Sequence, residues 1–294
     1  MKLGYNTWST PMLSLEENIA LFSRVGYDSI ELTVCEGWPT DAMLAAPGDG
    51  AKWRRMIDNA GLHLSSITGN VPVVVPDSEW AAPRERLLRS FDLAAEAQHE
   101  GQGLPVSLGA LRPQVAGASI FGHDLTSDEA YAETRSVIVD RFSELAEEAG
   151  KRGVRVALEC HVAAIVTSPE RALDVLGAVN SEHLGLNLDI SHFDVQGMDI
   201  PDVVRRLAPH ALVCEVKDQL GVHPDFEFLV PGEGDFDYVS FLREMNAAGY
   251  TGAVSVEVSV LRQRGERPYD PVASCESAYK VLAAAAAEAG IVRG

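Results

Sequence analysis

Cysteine is scarce in this sequence, which has 4 cysteines among 294 residues. Cys35, Cys160, Cys214 and Cys275 are scattered along the chain and form no CxxC pair. Proteins stabilised by a disulfide framework usually have more cysteines at a regular spacing, so we expect none here. The pattern predicts reduced thiols in a cytoplasmic protein.

Long hydrophobic runs are also missing. Mean hydropathy is +0.00, and no uninterrupted apolar stretch reaches the length that a membrane-spanning helix needs. The first residues, MKLGYNTW, lack the apolar core and the small-residue cleavage site of a signal peptide. We therefore expect no membrane association.

Positive charge is in short supply, because 24 Lys and Arg face 43 Asp and Glu and give a formal charge of −19. DNA, RNA and anionic membranes attract cationic surfaces, so this balance argues against nucleic acid or membrane as a partner. Many acids crowd helical segments such as residues 127–150, where they are typical of a solvated helix face. Composition leaves open whether the protein forms a homo-oligomer.

Short apolar runs alternate with longer amphipathic stretches throughout the chain. The runs predict strands at 2–6, 29–33, 63–68, 104–109, 154–159, 184–189, 212–217 and 253–258. The stretches predict helices at 14–25, 51–60, 79–99, 127–152, 169–179, 200–207, 237–248 and 271–289. Eight strand–helix units in series predict an α/β fold, a single (β/α)8 TIM barrel over residues 1–294 with its active site at the C-terminal ends of the strands. A doubly wound open sheet is the alternative.

Four predicted strands end on a carboxylate. The runs VRVALE, LGLNLD, ALVCE and AVSVE close on Glu159, Asp189, Glu215 and Glu257. Burying an isolated carboxylate costs several kcal/mol or more unless a partner pairs or ligates it. Because the C-terminal ends of barrel strands meet at one mouth, we predict a divalent metal site there. Carboxylate oxygens favour Mg²⁺ or Mn²⁺ as the ion.

Strand alternation places further polar residues on the same faces as the four acids. His161 shares a face with Glu159, and Ser255 and Ser259 share one with Glu257. Lys217 shares a face with Glu215, where it would offset part of the negative charge. Cys160 and Cys214 fall on the opposite strand face, and we expect them to pack between barrel and helices.

Two histidines and two tryptophans are candidates for substrate contact. We expect His161 and His192, the second of which follows Asp189 by three residues, to contact the substrate. Trp8 ends the first predicted strand and Trp38 follows the second, so either could form an apolar wall beside a sugar ring. Aromatic residues at loop starts are as often simple packing.

Several elements resemble the sugar phosphate isomerase/epimerase group of the xylose-isomerase-like TIM-barrel superfamily. They are ALECH, LNLDISH, EVKD, PGEGDFDY and SVEV, in this order and together with the opening MKLGYNTW. The resemblance covers essentially the whole chain. It implies a metal held at the positions of Glu159, Asp189, Glu215 and Glu257. Ketose epimerases normally carry His at the third position, so Glu215 is a departure that shifts the ligand set towards Mn²⁺ or Mg²⁺.

By this resemblance we expect a metal-dependent sugar isomerase or epimerase. Glu159 and Glu257 would take and return a proton next to a carbonyl, while the metal stabilises the enediolate. His161, His192 and Lys217 would orient the hydroxyls of a small sugar or cyclitol. The sequence does not decide whether this substrate is phosphorylated, since Arg112, Arg262 and Arg264 lie in loops where arginines are usually just solvated.

Three other functions stay open at this point. A lyase acting on a keto-cyclitol or a 3-keto-glycoside would share the first step and then expel a substituent. An apurinic-site endonuclease is disfavoured, because that chemistry needs several zinc ions with many His ligands, and the third and fourth strands end in SSIT and VSLG. A non-catalytic sugar-binding relative is the third alternative.

Overall fold

The computed structural model describes residues 1–111, 127–258 and 268–294. The long loop predicted after the fourth strand therefore lies mostly outside the described residues. The same holds for Arg112, Ser259, Arg262 and Arg264.

Eight parallel strands form a barrel. Their bounds are β1 Lys2–Asn6, β2 Ser29–Thr33, β3 His63–Thr68, β4 Pro105–Gly109, β5 Arg155–Glu159, β6 Leu184–Asp189, β7 Ala211–Val216 and β10 Ala253–Val256. They close in the order β1-β10-β7-β6-β5-β4-β3-β2, since β1 pairs with both β2 and β10. The predicted TIM barrel is confirmed, and the open sheet is excluded because neither end of the strand order is free.

Helices of the described residues cover the outside of the barrel. They are α1 Leu15–Val25, α2 Asp49–Asn59, α3 Ala81–Ala97, α4 Asp128–Lys151, α5 Pro169–Val179, α6 Ser191–Asp194, α7 Ile200–Leu207, α8 Tyr238–Ala247 and a last helix Pro271–Glu288. None of them is both long and apolar enough to cross a membrane.

A β-hairpin and a one-turn helix were not predicted from the sequence. Strands β8 (Asp218–Val222) and β9 (Asp225–Leu229) form an antiparallel hairpin outside the barrel, and α6 is a single turn directly after β6. Both hairpin strands have only five residues, and although β9 alternates polar and apolar residues in DFEFL, β8 reads DQLGV without such a repeat. The eighth barrel strand ends at Val256, which puts Glu257 just after the strand and not within it.

Two faces of each barrel strand have different environments. Leu3 and Tyr5 belong to the main apolar cluster between strands and helices, and Cys160 and Cys214 lie in the same cluster, as expected. Gly4, on the other face of β1, lies in register between Ser255 and Ser29. A Cβ on Gly4 would lie 2.6 Å from each of the two serine hydroxyls. The barrel interior is therefore narrow at this level and lined by small polar side chains.

Candidate active site

Three predicted ligands meet at the C-terminal mouth of the barrel. Glu159 and Asp189 are the last residues of β5 and β6, and Glu215 is the last but one of β7. Asp189 and Glu215 are register partners. The three side chains are buried, and each offers an oxygen within 4.8 Å of the others. The barrel thus brings three acids from three separate strands into one cluster.

The Glu215 carboxylate is held by amide groups from two other strands. The Asn6 side chain on β1 donates a hydrogen bond to Glu215 Oε1 at 2.7 Å, and the Asn187 side chain on β6 donates to Oε2. Burial, followed by the nearby charge of Glu31, raises the pKa of Glu215 well above its usual value. The two amides therefore fix the orientation of a carboxylate that lies deep in the barrel.

Lys217 is the cation of the site. Its ammonium is 2% exposed and donates to Asp189 Oδ2 and, at 2.6 Å, to Glu257 Oε2. Burial alone would lower the pKa of Lys217, but Asp189, Glu257, Glu215 and Glu159 together raise it. The ammonium also lies 5.3 Å from the centre of the Phe228 ring. Lys217 is therefore a charged group that compensates the surrounding carboxylates.

Asp189 and Glu257 both pair with the Lys217 ammonium, but their pKa values shift in opposite directions. Burial favours the neutral form of Asp189, yet Lys217, His192 and Ser191 together hold its pKa below the usual value. Burial raises the pKa of Glu257 to about 7 despite the attraction of Lys217. Among the described residues, the two clusters of ligand atoms close enough to hold an ion do not include Glu257. Glu257 therefore differs from the other three predicted ligands: it pairs with Lys217 but lies outside the carboxylate cluster.

His161 and His192 lie beside the carboxylates, with ring centroids 3.8 Å apart. His192 Nε2 is 3.4 Å from Glu159 Oε1 and from Asp189 Oδ2, and its Nδ1 is buried without a hydrogen-bond partner among the described residues. Burial is the main cause that lowers the pKa of each histidine to about 3. Both rings are therefore neutral at pH 7, and they can exchange hydrogen bonds with a ligand without adding charge.

Trp8 and Trp38 form a stacked pair near the same mouth, with ring centroids 4.4 Å apart and an interplanar angle of 15°. Trp8 lies in the short turn Thr7–Ser9 directly after β1, and Trp38 Nε1 donates to the carbonyl of Thr7 at 3.1 Å. The two indoles that the sequence offered as separate walls are thus one aromatic unit.

Glu31 and Thr68 also belong to the polar interior of the barrel, although the sequence pattern did not single them out. Glu31 is fully buried on β2, and the Thr68 hydroxyl donates to its Oε1 at 3.1 Å. Burial raises the pKa of Glu31 to about 8. The sequence did contain a signal for Glu31, because burying an acid in the run SIELT costs as much as burying one in VRVALE. It was overlooked because Glu31 lies inside its strand and does not end it.

The donor set fits a divalent cation. Glu159, Asp189 and Glu215 present carboxylate oxygens, and the second cluster adds the rings of His161 and His192 to Glu159. The buried Nδ1 atom of His192 still lacks a partner within the described residues. Oxygen ligands with one or two imidazoles suit Mn²⁺ and Mg²⁺ and also admit Zn²⁺.

The chain is similar in sequence to known proteins over most of its length. The sequence model of a family described as "Xylose isomerase-like TIM barrel" matches residues 19–280. L-ribulose-5-phosphate 3-epimerase UlaE of Salmonella paratyphi C is 28% identical over 281 residues, which cover 94% of this chain and 91% of UlaE.

Two solved structures show the fold at lower identity. A structure of L-ribulose 3-epimerase has a TM-score of 0.75 and 19% identity, and covers 98% of this chain and 95% of its own. The IOLI protein with a bound zinc atom has a TM-score of 0.71 and 21% identity, with 98% of each chain covered.

Proposed function

Because the chain belongs to the xylose isomerase-like TIM-barrel family, we propose that it is a sugar epimerase or isomerase that moves a proton at the carbon next to a carbonyl. The observation that carries this proposal is the pair of carboxylates, buried Glu159 and partly buried Glu257, on either side of the Asp189–Lys217 ion pair. Strands β6 and β7 separate the strands that bear the two acids, so the acids can approach a bound ring from different sides.

The residues proposed to hold a divalent ion are Glu159, Asp189 and Glu215, with Glu257 as the fourth. Mn²⁺ or Mg²⁺ is the proposed ion, and zinc in the IOLI protein is a precedent for metal in this fold. When bound, the ion supplies positive charge to the carbonyl and neighbouring hydroxyl oxygens, which lowers the cost of removing the adjacent proton.

Glu159 and Glu257 are proposed to take the proton from one face of the substrate carbon and return it to the other. A base works best when its pKa lies near the working pH. Burial raises the pKa of both acids. The pKa of Glu257 rises to about 7, so this acid can hold and release a proton near neutrality.

The remaining residues are proposed to bind the substrate. His161 and His192, neutral because of burial, can exchange hydrogen bonds with sugar hydroxyls. Lys217 can share its ammonium with a substrate oxygen, and the stacked Trp8 and Trp38 offer an apolar face to a sugar ring. Because the named relatives act on ribulose or ribulose 5-phosphate, a small ketose or its phosphate is the proposed substrate class.

The test is turnover by Glu159→Gln and Glu257→Gln on a panel of ketoses, ketose phosphates, inososes and 3-keto-glycosides with Mn²⁺. We expect each variant to lose at least about 10²-fold in kcat/KM, since each loses a group that transfers protons. Glu85→Gln, an exposed acid on α3, is the control that should keep full activity.

Product analysis by NMR in deuterated water decides the reaction type. An epimerase incorporates deuterium at the carbon next to the carbonyl and retains every oxygen of the substrate. Loss of a substituent would identify a lyase in place of an epimerase. Full activity of both carboxylate variants would refute the assignment of the two acids.

A further inference from the structure

A second polar cavity lies at the opposite end of the barrel, where the strands begin. Its volume is about 190 Å³. Three basic residues line it, and all three are the first residues of their strands: Lys2 on β1, His63 on β3 and Arg155 on β5. Ser66 and Ser255, both buried, are also part of its wall. The cavity is separate from the candidate active site, because the carboxylates stand at the other ends of the same strands.

Arg155 lacks an acidic partner. In residues 1–111, 127–258 and 268–294, its guanidinium pairs with no carboxylate, and the one hydrogen bond of the guanidinium runs from Nε to the carbonyl of Gly103 at 2.9 Å. The side chain is half-buried, and burial lowers the pKa of Arg155 with no opposing attraction. A cation partly removed from water is unfavourable unless an anion or strong acceptors compensate it.

The loop before β4 holds Arg155 at the cavity. Gly103 has a φ of +60°, in the left-handed region that favours glycine, and a Cβ there would lie 3.1 Å from Arg155 Nε. Gln102, the preceding residue, lines the cavity and donates from its side chain to the carbonyl of Leu64 at 3.0 Å. The backbone thus fixes Nε and leaves the two terminal nitrogens of the guanidinium for another acceptor.

Lys2 and His63 complete the basic lining of the cavity. Lys2 donates to the main-chain oxygen of Gly294 and pairs with no Asp or Glu side chain in the part of the chain that the structure describes. Burial and the charges of Lys2 and His99 lower the pKa of His63, although nearby Asp58 raises it. Lys2 and Arg155 thus bring two cationic side chains to one cavity in a chain with a formal charge of −19.

We propose that this basal cavity binds one phosphate-sized oxyanion, with the Arg155 guanidinium as the main donor and Lys2 and the hydroxyls of Ser66 and Ser255 as supporting groups. Arginine binds phosphate through paired, charge-assisted hydrogen bonds. A volume of about 190 Å³ is below the roughly 300 Å³ at which pockets for larger ligands begin. The cavity would recognise a phosphoryl group, which either free phosphate or a small phosphorylated metabolite can supply.

The test is isothermal titration of the full chain with sodium phosphate, with sodium chloride at matched ionic strength as the blank. We expect one saturable site, and we expect Arg155→Met to weaken its Kd at least about tenfold through the loss of charge-assisted hydrogen bonds. Arg55→Met, an exposed arginine on α2, is the matched control and should bind as the wild type does. Glu159→Gln should also leave Kd unchanged, because it alters the other end of the barrel.

Three results would overturn the proposal. They are no saturable heat beyond the chloride blank, an Arg155→Met variant that binds phosphate as tightly as the wild type, or loss of binding in Glu159→Gln. If Arg155→Met does not fold, Lys2→Met replaces it and should weaken Kd in the same direction. A parallel titration with ribose 5-phosphate distinguishes the sources: binding that depends on Arg155 points to a metabolite phosphate, and its absence points to the free oxyanion.

Discussion

Lys217 shows how one residue can set the chemistry of a site. It is buried, and its ammonium pairs with both Asp189 and Glu257. Removing one partner of a buried ion pair usually costs about 3–5 kcal/mol, because the other charge stays buried without compensation. A divalent ion on the neighbouring carboxylates would supply the same kind of compensation. Lys217 and the proposed ion therefore act on the same excess of negative charge.

We predict that Lys217→Met lowers the free energy of unfolding by about 3 kcal/mol in EDTA. We also predict that Mn²⁺ stabilises this variant more than it stabilises the wild type, because the ion then replaces the positive charge that the variant has lost. Urea unfolding with EDTA and with Mn²⁺ measures both effects. Lys280→Met, an exposed lysine on the last helix, is the control. An equal gain from Mn²⁺ in variant and wild type would contradict the shared role.

Glu215 shows what the sequence could and could not predict at this scale. Its position near the end of a barrel strand followed from the pattern, since an acid that closes an apolar run is costly to bury unless a partner pairs or ligates it. Its two amide partners did not, because Asn6 and Asn187 are distant in sequence and meet it only when the barrel closes. The sequence resemblance predicted His at this position. The two amide donors suit the carboxylate that is there in its place.

At the scale of elements, Asp218 connects the hairpin to the segment PGEGDFDY. Its buried carboxylate accepts hydrogen bonds from the backbone N–H groups of Gly232 at 2.7 Å and Phe236 at 3.1 Å. A Cβ at Gly234 would lie 2.5 Å from Asp218 Oδ1, so this close approach requires glycine. The hairpin in turn carries Phe228, which lies beside the Lys217 ammonium.

We predict that Asp218→Ala lowers the free energy of unfolding by about 2 kcal/mol, because it removes the charged acceptor of the backbone N–H groups of Gly232 and Phe236. Asp235→Ala is the matched control, since this less buried acid lies in the same segment. Chemical denaturation of both variants measures the difference. Similar losses in the two variants would show that the Asp218 carboxylate does not hold the segment in place.

Local signals predicted the elements that local chemistry controls. Ser14 accepts from the backbone of Glu17 in a capping box, and Gly26 ends α1 with a φ of 108°. Asp237 caps α8, since its side chain accepts a hydrogen bond from the backbone N–H of Ser240. The hairpin and α6 escaped prediction because each is short: the hairpin strands have five residues each, and α6 has four.

At the scale of the whole molecule, the barrel interior holds a proton that the unfolded chain releases. Burial raises the pKa of Glu31 to about 8 from an ordinary value of 4.5. Between these two values the folded chain keeps this proton and the unfolded chain does not. The folded state therefore binds more protons, and the contribution of Glu31 to stability falls as pH rises through this window, by at most about 1.4 kcal/mol per pH unit.

We predict that Glu31→Gln flattens the decline in unfolding free energy between about pH 6 and pH 8, because glutamine stays neutral throughout. Urea unfolding at both pH values, for the variant and the wild type, gives the two slopes. Glu85→Gln should retain the slope of the wild type, since Glu85 is exposed. A slope in Glu31→Gln as steep as that of the wild type would assign the pH dependence to other groups.

By itself, the sequence determined the eightfold repeat, the bounds of most strands and helices, and the acids at the strand ends. These features depend on period, capping and the cost of burying charge, which act over a few residues. Only the tertiary structure decided that Lys217 pairs with Asp189 and Glu257, that Asn6 and Asn187 hold Glu215, and that Arg155 lines a cavity with no acidic partner among the described residues. Such contacts join residues far apart in the chain, and their geometry exists only once the eight strands have closed into a barrel.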